Sequence, residues 1–447
     1  MYIVVIGLGE VGRHLLKLLV NEGHDLIAID SSEEQISYAE DHFDVATLLG
    51  YGANQQVLES ARAGNADLVV AVTDHDEVNL IASLAAKQMG AKRVVARVQG
   101  SEWGTATEGI GYGFLGVDVV INPRVLVAKE FARIARSHGA DDVIDLADER
   151  VELVQLTLSE KSRHLGKPLA KVDLPGEVVI AAIVRDGELF VPGGADVMLE
   201  GDLIYLMGTP ADVLLAEDVF STRREAQRVC IVGGGVIGQT LASSLAKQGC
   251  SVLLIEKMRA RAEDLSGMLP DITVIHGDGT NVELLEEEEV NTYDLFVAVT
   301  KRDEINLMAA LLAQRLGVDR TACVVPRGDY LPIYRQLGIS IALSPRVVAS
   351  DHILRYAQRD TLHAITSIES GAAEVLELVA TRGCEAVDVP LRRLASPRGA
   401  IVGAILRQSD IIIPHGGSQI RHGDRVLIMC VPDARRAVEN LFRTSEE

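Results

Sequence analysis

The sequence is poor in aromatic residues and has no long apolar run. Aromatic side chains make up 4% of the 447 residues, so the stacking platforms that single-stranded nucleic acids need are scarce. The formal net charge of −21 would repel phosphate backbones and anionic lipid surfaces. Apolar runs such as 178–184 are far shorter than the roughly 20 residues that span a bilayer. We therefore expect no nucleic-acid partner and no direct insertion into a membrane.

Cysteines and catalytic motifs are also sparse. The cysteines lack CxxC spacing, which favours buried thiols in a reducing cytosol over a disulfide or zinc framework. No zinc-binding HxxxH, nucleophile-elbow or P-loop pattern occurs, and no histidine falls at a repeated strand end, His75 coming nearest. The repeated carboxylate pairs at 76–77 and 303–304 could hold a cation, but acids at a helix start are the preferred interpretation. We expect a soluble cytoplasmic chain without catalytic residues or metal ligands.

Residues 3–30 have the pattern of a strand, a glycine turn, a helix and a second strand. Gly7 allows a tight turn, Gly9 lets the backbone approach a pyrophosphate, and Gly12 lets the helix pack close to the strand. The phosphates would then meet unpaired N–H groups at the helix N-terminus. Asp30 ends the second strand, where a carboxylate accepts hydrogen bonds from ribose hydroxyls and repels a 2′-phosphate. The pattern predicts a Rossmann unit that binds a dinucleotide, or one that has lost its ligand.

The same unit occurs again from residue 228. Its turn holds Gly233, Gly235 and Gly238, and Glu256 is its acid. A separation of 226 residues joins Gly7 to Gly233 and Asp30 to Glu256. The block VAVTDHDEVNL at 70–80 returns as VAVTKRDEINL at 297–307. A self-match of this length indicates duplication.

The repeat extends beyond the two Rossmann units. Pro168 and Pro390 lie in matching segments of short strands separated by Gly and Pro, which indicate a small β-rich domain with a helix after it. The separation of 222 residues between these prolines is smaller than before, so the first copy is longer between 98 and 121. This Gly-rich insert carries Trp103, which we expect to be exposed on a surface loop; a ligand lid or a contact patch is the alternative.

Alternating strands and helices predict an α/β fold with two tandem Rossmann-like, doubly wound parallel sheets. Each is followed by a small α+β domain rich in strands. The predicted regions are a Rossmann domain (1–120), a connecting helix (121–140), a small domain (141–222), a second Rossmann domain (227–342), a second connecting helix (343–360) and a second small domain (361–447).

Ligands of such sheets lie beyond the carboxyl ends of the strands. The first candidate site comprises Gly7, Leu8, Gly9, Glu10, Val11, Gly12, Arg13, Asp30, Ser31, Tyr51, Gly52, Ala53, Thr73, Asp74 and Arg97. In it, 51–53 would flank a base, 73–74 would close over the cofactor, and Arg97 would reach phosphate. Arg13 is a second phosphate candidate, although an exposed, solvated position suits it equally.

The second candidate site comprises Gly233, Gly234, Gly235, Val236, Ile237, Gly238, Glu256, Lys257, Asp278, Gly279, Thr300 and Lys301. Lys301 replaces Asp74, and Val324 stands where Arg97 would fall, so this site lacks one cation. We therefore expect the two sites to differ in ligand or affinity.

Taken in order, the two GxGxxG units, the GDGT loop at 277–280, the VAVT-x-x-DE-x-NL block and the small β-rich domain resemble the bacterial potassium-uptake regulator family TrkA. Chains of that family are built of paired RCK-type domains, and the resemblance covers essentially the whole sequence. Its motifs match at Gly7, Gly9, Gly12, Asp30, Thr73, Asp74, Arg97, Gly233, Gly235, Gly238 and Glu256. The sequence departs from the family at Gly50-Tyr51 and around Trp103, which leaves the base contacts and the preferred nucleotide open.

The resemblance implies a cytosolic regulatory subunit on the inner face of the cell membrane. It would dock, typically as a tetrameric ring, on an integral-membrane potassium channel or transporter subunit of the TrkH/TrkG type. Binding of NAD(H), ATP or ADP would shift the ring between conformations that gate the pore. Two alternatives stay open: an NAD-dependent oxidoreductase, against which the lack of a repeated catalytic pair argues, and a regulatory subunit of a cation antiporter with the same fold.

Overall fold

The computed structural model describes residues 1–21, 23–100, 103, 109–137, 140–147, 150–220, 226–339, 341–358, 363–368, 371–394, 397–408 and 410–443. These residues fall into two units, the first made of 1–132 and 227–357 and the second of 133–226 and 358–447. Each unit therefore draws on both halves of the duplicated chain.

The first unit begins with a seven-stranded sheet of order β3-β2-β1-β4-β5-β7-β6. Its elements are β1 (Tyr2–Ile6), α1 (Glu10–Asn21), β2 (Asp25–Asp30), α2 (Glu33–His42), β3 (Ala46–Leu49), α3 (Gln55–Ser60), β4 (Leu68–Ala71), α4 (Asp76–Met89), β5 (Arg93–Arg97), β6 (Ile110–Phe114), β7 (Val117–Ile121) and α5 (Pro123–Arg136). Side chains alternate along β1, so Ile3 and Val5 pack under α1 while Val4 and Ile6 pack in a core cluster with residues of α3 and α4. Because both faces are covered, the strands are continuous apolar runs.

The insert around Trp103 differs from our expectation of a surface loop with an exposed tryptophan. Part of it is β6, an edge strand that pairs antiparallel with β7, whereas the other strands of the sheet pair parallel. The Trp103 ring meets Phe114 edge to face at 6.5 Å, and its Nε1 donates to Asp76 Oδ2 at 3.1 Å. The tryptophan is half-buried because it has both an apolar neighbour and an acceptor. Residues 101–102 and 104–108 of the insert lie outside the described residues.

The first small domain is an antiparallel sheet of order β11-β10-β12-β9-β8 with one helix packed on it. Its elements are β8 (Asp142–Leu146), β9 (Val151–Thr157), β10 (Val178–Arg185), β11 (Glu188–Phe190), β12 (Leu203–Gly208) and α6 (Pro210–Phe220). Arg185 on β10 donates to both carboxylate oxygens of the buried Asp202, at 2.8 and 2.7 Å. This bidentate pair fixes the loop before β12 to the end of β10.

The second Rossmann sheet is parallel throughout, in the order β15-β14-β13-β16-β17-β18. Its elements are β13 (Arg228–Val232), α7 (Val236–Lys247), β14 (Ser251–Glu256), α8 (Arg259–Met268), β15 (Thr273–His276), α9 (Val282–Glu287), β16 (Leu295–Ala298), α10 (Asp303–Leu316), β17 (Thr321–Val324), α11 (Leu331–Gln336), β18 (Ile341–Leu343) and α12 (Pro345–Gln358). The short helix α11 stands where the first copy has β6.

The second small domain repeats the strand order of the first, as β22-β21-β23-β20-β19. Its elements are β19 (His363–Ile368), β20 (Ala373–Val379), β21 (Ala400–Arg407), β22 (Asp410–Ile412), β23 (Arg425–Cys430) and α13 (Pro432–Phe442). Arg407 and Asp424 reproduce the bidentate pair at 3.0 and 2.7 Å. The α/β fold class, with two Rossmann-like sheets and two small β-rich domains, is confirmed; the bounds proposed for the regions stay predictions.

The two small domains share one apolar core within the second unit. Tyr205 and Met207 of the first domain lie in the same buried cluster as Leu427 and Met429 of the second. A Cβ added to Gly403 would lie 2.1 Å from Sδ of Met207, so glycine is what lets the two sheets approach here. Their apolar faces are covered within a single chain.

The two Rossmann domains also share a core, within the first unit. Ile353 on α12 is 1% exposed and lies in the buried cluster that contains Leu15 and Leu16 of α1. On the same helix α1, burial lowers the pKa of His14, while Asp329 of the second Rossmann domain acts in the opposite direction. Helix α12 is therefore a packing element of the first Rossmann domain, although it follows the last strand of the second.

We expect Ile353→Ala to destabilise the first Rossmann domain by about 2–5 kcal/mol, because it leaves a cavity in that domain's core. The half-buried Trp103 lies in the same domain, so its fluorescence in a urea titration reports the loss directly. Met308→Ala on α10, where the side chain is 51% exposed, is the matched control and should change stability by no more than about 0.5 kcal/mol. Equal unfolding midpoints for the two variants would contradict the shared core.

Candidate nucleotide-binding sites

The three glycines of the turn from β1 into α1 and of the first turn of α1 have different surroundings. Gly7 has φ +97°, and a Cβ there would lie 2.7 Å from the backbone N of Thr73. A Cβ on Gly12 would lie 1.9 Å from the carbonyl oxygen of Gly7, which is why α1 can lie so close to the strand end. A Cβ on Gly9 would meet nothing within 4 Å. Two glycines therefore serve packing, and the third borders open space beside the helix N-terminus.

That N-terminus is where hydrogen-bond donors collect. The N–H groups in the first turn of an α-helix have no acceptor within the helix, so those of α1 are directed out of its end beside Gly9. The helix dipole adds a partial positive charge at the same point. Backbone geometry alone thus supplies a cradle for an anionic group.

The second copy reproduces this geometry. Gly233 has φ +111° and approaches the backbone N of Thr300, and a Cβ on Gly238 would lie 1.9 Å from the carbonyl oxygen of Gly233. A Cβ on Gly235 would again meet nothing within 4 Å. Both copies therefore have one glycine that borders open space and two glycines that are closely packed.

The acids at the ends of the second strands are held by backbone donors. Asp30 accepts hydrogen bonds from the backbone N of Leu8 at 2.6 Å and of Ser32 at 2.8 Å. Glu256 accepts from the backbone N of Gly234 and of Met258, both at 2.7 Å. A carboxylate has about four acceptor positions, so each acid is fixed beside its glycine turn and retains capacity for further donors.

A buried asparagine fixes the strand end opposite each glycine turn. Asn79 Oδ1 accepts from the backbone N and Oγ1 of Thr73, at 2.8 and 2.7 Å. Its Nδ2 donates to the carbonyl oxygens of Thr73 and Arg97, both at 2.9 Å. Asn306 makes the same four bonds to Thr300 and to the carbonyl of residue 324. Sequence reasoning missed this role, although the repeated asparagine in the VAVT-x-x-DE-x-NL block was its signal.

Arg97 and Asp74, both proposed from the sequence, come together in the first copy. The Arg97 side chain is 11% exposed, and its Nη2 lies 3.4 Å from Oδ1 of Asp74, which is 85% exposed. Burial lowers the pKa of Arg97, while Asp74 and Asp76 act in the opposite direction. At the corresponding place the second copy has the buried, apolar Val324. Only one of the two sites therefore carries a cation at this strand end.

The remaining candidate residues of the first site differ in their contacts and in their exposure to solvent. The Arg13 guanidinium lies 4.8 Å from the ring centroid of Tyr38 on α2, so it stacks on an aromatic face rather than standing free in solvent. A Cβ on Gly52 would lie 2.2 Å from Cγ2 of Ile6, which places this loop against the end of β1. Tyr51 beside it is 55% exposed. Ser31 is exposed, and Ala53 is half-buried.

The corresponding loop of the second copy is fixed by charged side chains. Asp278 accepts from Lys257 Nζ at 2.7 Å and from the Oγ1 and backbone N of Thr280, at 2.7 and 3.0 Å. These bonds, that from Lys257 foremost, lower the pKa of Asp278 to about 2. Arg261 Nε donates to the carbonyl oxygen of Gly234 at 3.0 Å, a contact that sequence reasoning also missed. Lys301 is exposed. The surroundings of the two sites therefore differ chemically.

Asp76, one of the repeated acids at helix starts, anchors a loop. Its carboxylate accepts from the backbone N of Gln99 and Gly100 as well as from Trp103 Nε1. Within the described ranges, no group of three or more His, Cys, Asp or Glu side chains is arranged to hold a metal ion. In the same part of the chain, no helix combines the length and apolarity needed to cross a bilayer.

Comparisons with known proteins agree with this architecture. Residues 3–123 and 229–345 each match the TrkA-N domain, and residues 153–221 and 375–443 each match the TrkA-C domain. The Trk system potassium uptake protein TrkA homolog of Archaeoglobus fulgidus is 36% identical over 443 residues, covering 99% of this chain and 100% of that protein. The Trk system potassium uptake protein TrkA of Azorhizobium caulinodans is 30% identical over 461 residues, with 100% of each chain covered.

A solved structure has a similar fold. The GsuK channel bound to NAD matches with a TM-score of 0.63 at 17% identity, covering 98% of this chain and 78% of the GsuK chain. Because the sequence identity is only 17%, this similarity shows a shared fold and nothing more.

We expect Asn79→Ala to destabilise the first Rossmann domain by about 1–3 kcal/mol, because it leaves polar groups of Thr73 and Arg97 without their partner. Asn291→Ala, at an exposed position, removes the same chemical group without breaking such a network and should be nearly neutral. Urea unfolding followed by circular dichroism compares the two. A neutral Asn79→Ala would show that the four hydrogen bonds contribute nothing to the strand end.

Proposed function

The chain belongs to the family of Trk system potassium uptake proteins TrkA, and we propose that it is a nucleotide-sensing regulatory subunit of a potassium uptake system. In this proposal the chain works in the cytoplasm and is not an enzyme. It binds NAD(H), ATP or ADP on its Rossmann domains and controls an integral-membrane potassium channel or transporter.

The open space at Gly9 carries the proposal. A pyrophosphate placed there would receive hydrogen bonds from the first turn of α1 and would benefit from the helix dipole. Asp30, fixed by the backbone N of Leu8, retains acceptor positions for ribose hydroxyls. Its negative charge opposes a 2′-phosphate, which favours NAD over its 2′-phosphorylated form. The similar fold of a GsuK channel bound to NAD supports the same ligand class.

Binding alone is sufficient for a regulatory output. A ligand moves a conformational equilibrium by its different affinity for two states, and it is not consumed in doing so. The first Rossmann domain is suited to this role because its helix α1 begins at the cradle and shares a core with α12 of the second. A nucleotide on the first site would therefore act on packing between the two Rossmann domains.

Family membership supports a proposal for the partner and the assembly. We propose docking on a potassium channel or transporter subunit of the TrkH/TrkG type at the inner face of the cell membrane. The regulator would act there as a homotetrameric ring. The apolar faces of the small domains already cover each other within one chain, which leaves the Rossmann unit as the favoured surface for assembly.

We expect wild-type protein to bind NADH, NAD, ADP or ATP saturably in calorimetric titrations, and Gly9→Val to lose that binding at the first site. The valine side chain would fill the space that the pyrophosphate needs, and loss of even one hydrogen bond to a charged group weakens binding by about tenfold or more. The variant should still fold, because a Cβ at Gly9 meets nothing within 4 Å. Asp30→Ala should weaken NAD(H) binding through loss of the ribose contact.

Gly267→Val is the matched control, since a Cβ there also meets nothing within 4 Å and the position lies near the end of α8. It should bind as wild type does. Absence of nucleotide binding by the wild-type chain would refute the proposal. Steady NADH turnover with a panel of hydroxy acids and aldehydes would instead favour an oxidoreductase.

A further inference from the structure

An ion pair joins the two Rossmann domains at the edge of the first nucleotide cradle. Glu10, the first residue of α1, follows Gly9 directly, and its carboxylate pairs with the guanidinium of Arg346. Arg346 is the second residue of α12 and therefore belongs to the other half of the chain. The two side chains are 39% and 35% exposed, so the pair is partly open to solvent and to a ligand.

The position of Glu10 poses an electrostatic problem for a phosphate. A carboxylate in the first turn stabilises its helix, but beside the cradle it repels an incoming anion. Arg346 neutralises that charge. The guanidinium has five N–H donors and can serve a carboxylate and a phosphate together.

Arg346 is held in place by its own helix. Ile353 on α12 is buried in the core of the first Rossmann domain, and Val348 packs against the same cluster. Burial also lowers the pKa of Arg346, so its charge is partly removed from water and gains from a neighbouring anion. The guanidinium is thus positioned by packing rather than by Glu10 alone.

The second copy has a different arrangement. The residue that corresponds to Glu10 is Val236, which cannot form an ion pair. The counterpart of Arg346 is Arg124, whose Nη2 donates to Oε1 of Gln99 at 2.8 Å. The acid–arginine pair is therefore a property of the first site, where it adds a charged contact to an otherwise duplicated backbone cradle.

We propose that Arg346 is a phosphate-binding residue of the first nucleotide site, supplied by the second Rossmann domain. This inference rests on the proposed function. The ligand class is a nucleoside diphosphate or triphosphate, whose terminal phosphate competes with Glu10 for the guanidinium. Both phosphates of NAD are esterified and carry one charge each, so NAD has no terminal phosphate that could compete with Glu10 for the Arg346 guanidinium. The residue accordingly favours ADP and ATP over NAD.

The test is calorimetric titration of the full-length chain with ADP and with NAD, in a Gly235→Val background that closes the second cradle. Arg346→Ala should weaken ADP binding by about tenfold or more and NAD binding by less than about threefold, since it removes a charge-assisted contact that ADP alone makes. Glu10→Gln should have the opposite sign and strengthen ADP binding, because it frees the guanidinium and removes a repelling charge. Arg346→Lys, which keeps the charge, should restore part of the loss.

Arg315→Ala is the control, because it removes the same charge from an exposed position in the last turn of α10, a helix that packs on β16 and β17. It should leave both affinities unchanged. If Arg346→Ala impairs folding, Glu10→Gln carries the test alone, and weaker or unchanged ADP binding overturns the inference. A third outcome separates the two proposals. If Gly9→Val abolishes nucleotide binding while the Arg346 and Glu10 variants bind as wild type does, this inference is overturned and the proposed function stands. A wild-type chain that binds no nucleotide overturns both.

Discussion

The close approach of helix to strand at the glycine turn is the constraint on which the site depends. A Cβ on Gly12 would lie 1.9 Å from the carbonyl oxygen of Gly7, so a larger residue would push α1 away from β1. With α1 in place, its first-turn N–H groups surround the open space at Gly9 and Asp30 reaches the backbone N of Leu8. The same distance recurs at Gly238 in the second copy. A single steric requirement thus explains why both halves present the same backbone cradle.

Duplication has kept the backbone and varied the side chains around it. The asparagine network at the strand end is the same in both copies, whereas the cation Arg97 is replaced by the apolar Val324. The exposed Tyr51 corresponds to an aspartate held by Lys257 and Thr280. The two candidate sites therefore share one backbone scaffold and differ in the side chains around it.

Much of this architecture follows from the sequence alone, and the exceptions have physical causes. The Rossmann sheets, their repeat and the close packing of the helix at Gly12 follow from local pattern and spacing. The antiparallel β6 pairs with the neighbouring β7, but strands disfavour glycine, and β6 contains two glycines, Gly111 and Gly113. The half-buried Trp103 does not follow either, because it depends on a contact with Asp76, which is distant in the chain. The ion pair between Arg346 and Glu10 was beyond prediction for the same reason, since no periodicity places α12 on the first Rossmann domain. How the ligand contacts these residues stays a prediction.

In the proposed mechanism, a nucleotide binds at the N-terminus of α1 and changes the packing of α12. Native-state hydrogen exchange of the full-length chain, measured with and without saturating NADH or ADP, detects both effects. We expect slower exchange at the backbone N–H groups of residues 9–12, because the ligand supplies the acceptors that the first helical turn lacks. We also expect a change in exchange along α12. Nucleotide binding without any change in exchange at residues 9–12 would place the ligand elsewhere and refute the proposed site.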